Sequence, residues 1–253
     1  MYNRSELKRS AKERISASET SPYLVMIVYM LFFAVIGMLI YNLGPKIDIK
    51  GLIAAANDPS KAEAYLRATA ATQAAVPARN YFIMIALSLV SMPFSTGLIV
   101  FFMLVWRRLP NCIGNLFDGF AIIFRIIWLG ILSGIMIMLW SLLLYFPGII
   151  AAYRYRLAPY LLIDNPHMSA LDCIRESKRL MKGHKWELFV LDLSFILWQL
   201  LTAIPFVSIY TTPYFQTTYA GYYDIRRAED GKPWSGTLSP DNNRKGPPPW
   251  DYN

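Results

Sequence analysis

Charged residues inside long apolar segments are the first candidates for chemistry in this sequence. Arg154 and Arg156 fall in the short apolar segment 149–163, and Asp192 falls one to two turns into another, 187–205. A charge at the bilayer centre costs at least about 2.5–3.5 kcal/mol, so such residues are rare and often functional. An Arg–Asp pair between the segments would offset both burials. Two interpretations stay open: an ion, proton or lipid-phosphate site, or structural residues that pair or snorkel towards the head groups.

A basic helix predicted after residue 169 is the second candidate. Ser169-x-x-Asp172 is a capping-box pattern, and Gly183 suits the position just past a helix end. Apolar residues recur on one predicted face, namely Ala170, Cys173, Ile174, Ser177, Leu180 and Met181. The opposite face is basic, with Arg175, Lys178, Arg179 and Lys182. The pattern predicts an amphipathic helix lying flat at the inner membrane surface. Its charges either hold a solvated connector in the cytoplasm or bind anionic lipid head groups or a partner protein.

The elements that must position these residues are membrane helices. The chain has 253 residues, of which 55% are hydrophobic and 17% charged, whereas soluble domains carry roughly 25% charged residues. Three segments, 23–43, 81–105 and 126–146, are uncharged for 21, 25 and 21 residues. About 20 apolar residues are needed to cross the hydrocarbon core as a helix. We therefore expect an integral membrane protein.

The positions of the basic residues predict the topology. Lys and Arg cluster before residue 23, around 107–125, within 175–185 and after 225, and all four clusters should be cytoplasmic. An even number of crossings must then separate successive clusters. Phe146-Pro147-Gly148 is a turn signal, so 149–163 leads back. This 15-residue return spans only about 22 Å as a helix, whereas the hydrocarbon core is about 30 Å thick. Whether 149–163 crosses the membrane fully stays open, and the same holds for 207–225.

We therefore expect an all-α bundle of six membrane segments arranged as three hairpins, with interfacial amphipathic helices and both termini in the cytoplasm. The predicted segments are 23–43, 81–105, 126–146, 149–163, 187–205 and 207–225. The membrane domain covers 1–227. The tail 228–253 has five prolines and three glycines and should be disordered. The alanine-rich loop 44–80 should be external and partly helical.

Several strings resemble a bacterial membrane-protein family known as domain of unknown function 975. They are Asn3-Arg4-Ser5-Glu6-Leu7-Lys8, Phe146-Pro147-Gly148-Ile149-Ile150, Glu176-Ser177-x-x-Leu180-Met181-x-Gly183, the run from Leu191 to Trp198, Pro213-Tyr214, and Tyr222-Tyr223-Asp224. A looser likeness is to the membrane region of some glycerophosphodiester phosphodiesterases. The resemblance implies an architecture but no activity, so it assigns no catalytic residues.

Other chemistry is disfavoured by the residues. Cys173 and Arg179 have the spacing of a cysteine phosphatase loop, but a capped helix cannot wrap its amides round a phosphate. The two cysteines and two histidines match no zinc pattern. The basic residues flank membrane segments and do not indicate nucleic-acid binding. We expect no cofactor, no metal and no catalytic residue.

Two functions stay open. The first is a non-catalytic membrane protein whose cytoplasmic helices bind anionic lipid or a partner protein of unknown identity. The second is a small transporter with Arg154, Arg156 and Asp192 around a site between the fourth and fifth segments.

Overall fold

The computed structural model describes residues 3–46, 48–143, 145–202 and 205–232, apart from the side chains of 143, 145, 146 and 205. Within these residues every regular element is a helix and none is a strand, in agreement with the all-α prediction. The helices are α1 (Arg4–Ser16), α2 (Pro22–Leu43), α3 (Ile49–Asn57), α4 (Pro59–Ala74), α5 (Ala78–Arg107), a 3-10 helix (Ile113–Ile122), α6 (Ile123–Leu143), α7 (Tyr145–Tyr155), α8 (Ala158–Asp164), α9 (Ala170–Leu180), α10 (Lys185–Leu193), α11 (Ile196–Leu201) and α12 (Pro205–Glu229). The predicted tail falls almost wholly outside the described residues.

Three helical segments are long and apolar enough to cross a membrane: Pro22–Leu43, Ala78–Arg107 and Ile113–Leu142. They contain most or all of the three uncharged runs of the sequence. Of the other three predicted crossings, two fall on helices that are interrupted, and none meets the same criteria of length and composition. The structure therefore supports three candidate spans and does not confirm six.

The chain divides into two compact units. One contains residues 30–91 and the other contains 1–29 together with 92–253. In the smaller unit the alanine-rich loop forms α3 and α4, as expected of a partly helical loop. Asp58 caps α4 by accepting a hydrogen bond from the Ser60 amide. The side-chain amide of Asn80 donates to the Leu43 carbonyl at 3.0 Å, which ties the two ends of the segment together.

The second half of α5 lies at the centre of the larger unit, and nearly all its residues from Phe94 to Trp106 are buried. The 3-10 helix contacts it backbone to backbone. A Cβ atom at Gly97 would lie 2.0 Å from the Leu116 carbonyl oxygen, and one at Gly119 would lie 1.9 Å from the Pro93 carbonyl oxygen. Only glycine permits this approach, so these two positions fix the packing of the segment on α5.

The predicted segments 149–163 and 187–205 are each split into two helices. The first contains a break at Arg156-Leu157, two residues before Pro159, because proline cannot donate the backbone hydrogen bond that would continue α7. The second contains a break at Ser194-Phe195, between α10 and α11. Each was predicted as one membrane segment; Pro159 predicts a kink in the first, and the sequence carries no such signal in the second.

The start of α2 lies beside the end of α5, and the two helices are antiparallel. The Tyr29 hydroxyl lies 3.2 Å from the Ser95 hydroxyl. Nine residues earlier, the Thr20 amide and hydroxyl donate to the side chain and carbonyl of Asn111. Tyr23 is therefore level with the last two turns of α5.

Helix α12 runs across this end of α2 and α5 instead of alongside them. Tyr210 stacks on Tyr23 with ring centroids 5.6 Å apart, while Asp224 pairs with Arg107, the last residue of α5. Tyr210 and Asp224 are separated along α12 by about 21 Å, yet both contact the same end of the α2–α5 pair. A crossing parallel to those spans would need about 30 Å of rise, so this geometry does not support 207–225 as a full crossing.

Candidate functional site

The basic helix predicted after residue 169 is α9. The Ser169 hydroxyl accepts a hydrogen bond from the Asp172 amide at 3.2 Å and begins the helix. Gly183 follows the helix end with φ +86°, a conformation that glycine adopts without strain. The residues predicted to be apolar are buried, and the four basic residues opposite are exposed: Arg175, Lys178, Arg179 and Lys182.

Protein covers the buried side of α9, which packs on α6, α7 and α8. Ser177 is the centre of this contact. Its hydroxyl donates to the Arg154 carbonyl at 2.8 Å and accepts from the Leu157 amide at 3.2 Å, and so satisfies backbone groups freed by the break between α7 and α8. The helix was expected to lie flat on the membrane surface, but its apolar face already has a protein partner. Only the basic face is left for an outside ligand.

Half of that basic face is neutralised by neighbouring carboxylates. Arg175 pairs with Asp172 at 3.1 Å. Arg179 pairs with Glu176 at 2.6 Å and also with Asp230 beyond the end of α12. Hydrogen bonds from Arg179 lower the pKa values of the Glu176 and Asp230 carboxyl groups below their ordinary range.

Lys178 and Lys182 differ from these arginines. Both are exposed, and within the described ranges no carboxylate lies within 4 Å of either ammonium group. They therefore present two uncompensated positive charges on a helix that is packed onto the rest of the larger unit.

Asp192 and Arg156 meet at one tyrosine. Asp192 accepts hydrogen bonds from the hydroxyls of Tyr153 at 2.9 Å and Tyr219 at 2.6 Å. The Arg156 guanidinium carbon lies 5.0 Å from the centre of the Tyr219 ring. In the described part of the chain Arg156 and Asp192 form no direct ion pair. Two phenol hydroxyls hydrogen-bond to the Asp192 carboxyl group in place of the arginine that the sequence suggested.

Arg154 has a different environment. Its guanidinium carbon lies 5.9 Å from the centre of the Trp140 ring, and its carbonyl is the group bound by Ser177. The structure thus brings together two of the three predicted intramembrane charges and gives the third a separate contact.

A buried ionic cluster at the end of α5 was missed by the sequence reasoning. Arg107 donates two hydrogen bonds to Asp164 of α8, at 2.7 and 2.8 Å, and two to Asp224 of α12, at 3.1 and 2.7 Å. Arg227 and the Tyr223 hydroxyl also donate to Asp164. The Arg107 and Asp164 side chains are only 5% and 6% exposed. Two positive and two negative charges cancel, so the cluster joins three helix ends without leaving a net charge.

The only sequence signal for this cluster was the position of each residue at or near a helix end. Arg107 was counted among the residues that set topology, and its partners lie 57 and 117 residues away. No spacing rule connects residues so far apart. The arginine donates to both carboxylates, so the cluster is suited to holding helices together rather than to binding a ligand.

Metal and thiol chemistry find no support in the described residues. No group of three or more His, Cys, Asp or Glu side chains there could hold a metal ion. Burial raises the pKa of the Cys173 thiol to about 11, with a smaller contribution from Asp172. The thiol is therefore protonated at neutral pH, and it lies inside a regular helix with no phosphate-binding loop.

Comparison with known proteins identifies the family. The model of the family described as "Protein of unknown function (DUF975)" matches residues 1–229. Comparisons with curated proteins and with solved structures give no match. The looser likeness to glycerophosphodiester phosphodiesterases stays a prediction. The match covers both the basic helix α9 and the ionic cluster at Arg107, and every described helix falls within it, so the chain belongs to the domain of unknown function 975 family.

Proposed function

We propose that this protein is a non-catalytic bacterial membrane protein whose cytoplasmic basic helices bind anionic lipid head groups. The observation that carries the proposal is the pair Lys178 and Lys182, exposed and without carboxylate partners on a helix whose other face is packed against protein. Each basic residue near an anionic membrane surface contributes about 1 kcal/mol. A fixed helix loses little conformational freedom when it binds, so this contribution is retained.

Contacts among helix ends support a topology in which both ends of the described chain lie on one side. Arg14 of α1 donates to the Trp106 carbonyl, and its guanidinium carbon lies 3.7 Å from the centre of the Trp106 ring. Through the ion pairs of Arg107, the ends of α8 and α12 also lie at this end of α5. Such contacts cannot bridge a hydrocarbon core of about 30 Å. The density of Lys and Arg there favours the cytoplasmic side.

In the topology that we propose, α2, α5, α6 and the pair α7–α8 cross the membrane, and α10–α12 forms a hairpin inserted from the cytoplasmic side. Helix α1 carries five basic residues, packs on α12 and buries its Leu7, Ala11 and Ile15 side chains. The charges of α1 are costly in hydrocarbon, so α1 should lie at the membrane interface. Because α12 packs on α1, we place α12 at the interface as well. Full crossing by α10–α12, the six-segment prediction, would leave the sidedness of the termini unchanged.

Lipid preference of purified protein tests the function. The variant K178Q/K182Q removes two charges and should weaken retention of phosphatidylglycerol, relative to phosphatidylcholine, by about thirtyfold if both charges contribute fully. The measurement is competition between the two lipids for detergent-solubilised protein, followed by native mass spectrometry.

The matched control is K50Q/K61Q, which makes the same change in net charge in the helices α3 and α4 of the smaller unit. It should leave the preference unchanged. Equal preferences in wild type and K178Q/K182Q would contradict the proposed lipid surface, and a protein captured by wild type but not by K178Q/K182Q would favour a protein partner.

A second candidate is a small transporter, favoured by the contact of Arg156 and Asp192 with the shared Tyr219. Proton flux into vesicles containing the protein and a trapped pH-sensitive dye tests it. If Asp192 carries protons, D192N should abolish the flux without lowering the amount of folded protein. The asparagine amide keeps the shape of the carboxyl group; its oxygen accepts from one tyrosine hydroxyl and its NH2 donates to the oxygen of the other. Arg154, with its separate contact, should tolerate R154A. Equal flux in wild type, D192N and empty vesicles would rule out proton transport at this site.

A further inference from the structure

A cavity of about 320 Å³ lies between α1, the first turn of α2, α11 and α12. Eight side chains with polar hydrogen atoms line it. The hydroxyls of Ser16 and Thr211 donate to carbonyls of their own helices, and the other six side chains are Lys8, Lys12, Tyr23, Trp198, Tyr210 and Tyr214. Pockets that bind small molecules begin at about 300 Å³, so the volume suits a group the size of a lipid head group.

The two lysines make the cavity electropositive. The Lys8 ammonium donates to the hydroxyl and carbonyl of Ser194 at 2.6 and 3.4 Å and lies 4.0 Å from the centre of the Phe195 ring. The Lys12 ammonium lies 5.3 Å from the centre of the Tyr214 ring. No carboxylate of the described residues is within 4 Å of either ammonium group. Burial, together with the charges of Arg4 and Lys12, lowers the pKa of Lys8, as expected where positive charge has no anion beside it.

The remaining polar groups are also donors. The hydroxyls of Tyr23, Tyr210 and Tyr214 and the indole N–H of Trp198 make no hydrogen bond to any described residue. Charged and neutral donors therefore point towards the same cavity, and among the described residues no carboxylate lies beside its lysines. Such a donor set suits an anion with several acceptor oxygens, and phosphate has this property.

The mouth of the cavity has the character of a membrane interface. Trp198 and Tyr210 are 48% and 64% exposed, and both residue types concentrate at the head-group level of bilayers. On α11 the neighbouring Leu197 and Leu200 are 73% and 70% exposed. An apolar rim beside a cationic interior fits a molecule that has acyl chains next to its phosphate.

We propose that this cavity binds the phosphodiester head group of an anionic phospholipid, with Lys8 and Lys12 as the cationic ligands of the phosphate. The proposal rests on the proposed function for its class of ligand, but the cavity is separate from α9 and has its own residues. The hydrogen bond to Ser194 would hold the Lys8 ammonium group at the break between α10 and α11, and the ammonium group would contact the phosphate there. Lys12 and the tyrosine hydroxyls would complete the donor set.

Binding of short-chain lipids to the full-length protein in detergent tests the proposal. The probes are dihexanoyl phosphatidylglycerol, dihexanoyl phosphatidylcholine and the soluble anion glycerol 3-phosphate. Wild type should prefer the phosphatidylglycerol probe. In a K178Q/K182Q background, which removes the proposed α9 surface, adding K8Q/K12Q should weaken binding of the probe about thirtyfold. The control R9Q changes an exposed charge on the same helix that is paired with Glu13, and screening should limit its effect to less than about threefold.

The outcomes separate the two lipid proposals. K178Q/K182Q by itself should leave a site that prefers phosphatidylglycerol and that K8Q/K12Q then removes, because α9 does not line the cavity. Equal loss in R9Q and K8Q/K12Q, or equal binding of both lipid probes by wild type, would overturn the cavity site while leaving the α9 surface to its own test. Equally tight binding of glycerol 3-phosphate would overturn the assignment to a lipid and identify a soluble phosphate ligand. If K8Q/K12Q keeps the tryptophan fluorescence and thermal midpoint of wild type but does not bind the probe, the two substitutions act at the site and not on the fold. If K8Q/K12Q does not fold, W198F, which removes one neutral donor, should weaken probe binding in a folded protein, and unchanged binding there would contradict the donor set.

Discussion

Replacing Arg107 should destabilise the protein more than any exposed arginine can. Its side chain makes four hydrogen bonds to Asp164 and Asp224, and it is almost fully buried. R107M leaves two buried carboxylates with only Arg227 to compensate them. Breaking a buried pair in this way costs about 3–5 kcal/mol, which lowers the thermal midpoint by about 10 °C for a chain of this size.

A second variant separates charge imbalance from lost packing. R107M/D224N removes one positive and one negative charge and leaves the neutral pair Arg227–Asp164 in place, because Asp224 has Arg107 as its ion-pair partner. This double variant should be more stable than R107M alone. The exposed pair Arg67–Glu63 supplies the control, since R67M removes an interaction worth about 1 kcal/mol at most.

The assay is thermal unfolding of purified protein in detergent, followed by tryptophan fluorescence. The reasoning is refuted if R107M unfolds within a degree or two of R67M. It is also refuted if the double variant is no more stable than R107M, because then the buried charge imbalance contributes nothing.

Three further predictions concern α5, α9 and its thiol. G97A should lower stability by about 1–3 kcal/mol or more, because its Cβ would meet the Leu116 carbonyl. G134A, with nothing within 4 Å of its Cβ, should be neutral or stabilising in the same melting assay. Cys173 should react with maleimide far more slowly than Cys112 at pH 8, since a pKa of about 11 leaves about one thiolate in a thousand. Below the pKa its rate should rise about tenfold per pH unit, and equal rates for both thiols would contradict its burial. Glu176 and Asp230 have lowered pKa values in the fold, so their link to Arg179 stabilises the protein above their ordinary pKa values of about 4 and is lost as the pH falls through the lowered ones. Protection of the amides at Arg226–Asp230 against hydrogen exchange, measured relative to the intrinsic exchange rate at each pH, should therefore fall in acid, and an unaltered acid dependence in D230N would contradict this origin.

Local features of the fold could be predicted from the sequence because each depends on residues a few positions apart. The start of α9 follows from Ser169 and Asp172, and that of α1 from Asn3, whose side chain accepts from the Ser5 and Glu6 amides. The three candidate membrane spans follow from uninterrupted apolar runs. These signals combine helix propensity, capping and transfer energy, and none needs knowledge of distant partners.

The features that could not be predicted depend on partners distant in sequence. Ser177 looked like a small residue on an apolar face, but it satisfies the broken backbone at Arg154 and Leu157. The sequence suggested an ion pair between Asp192 and an arginine, but in the structure Asp192 accepts hydrogen bonds from one tyrosine of α7 and one of α12. Which donors lie within hydrogen-bond distance of Asp192 depends on how α7, α10 and α12 pack in three dimensions.

The central claim is that α9 and the other basic helices face the cytoplasm, opposite the loop that contains α3 and α4. Labelling of intact cells with an impermeant thiol reagent tests it, using A64C and K178C in a C112S background; the buried Cys173 can stay. A64C should react from outside, and K178C should react only after the membrane is permeabilised. Labelling of both, or of K178C alone, in intact cells would contradict the claim.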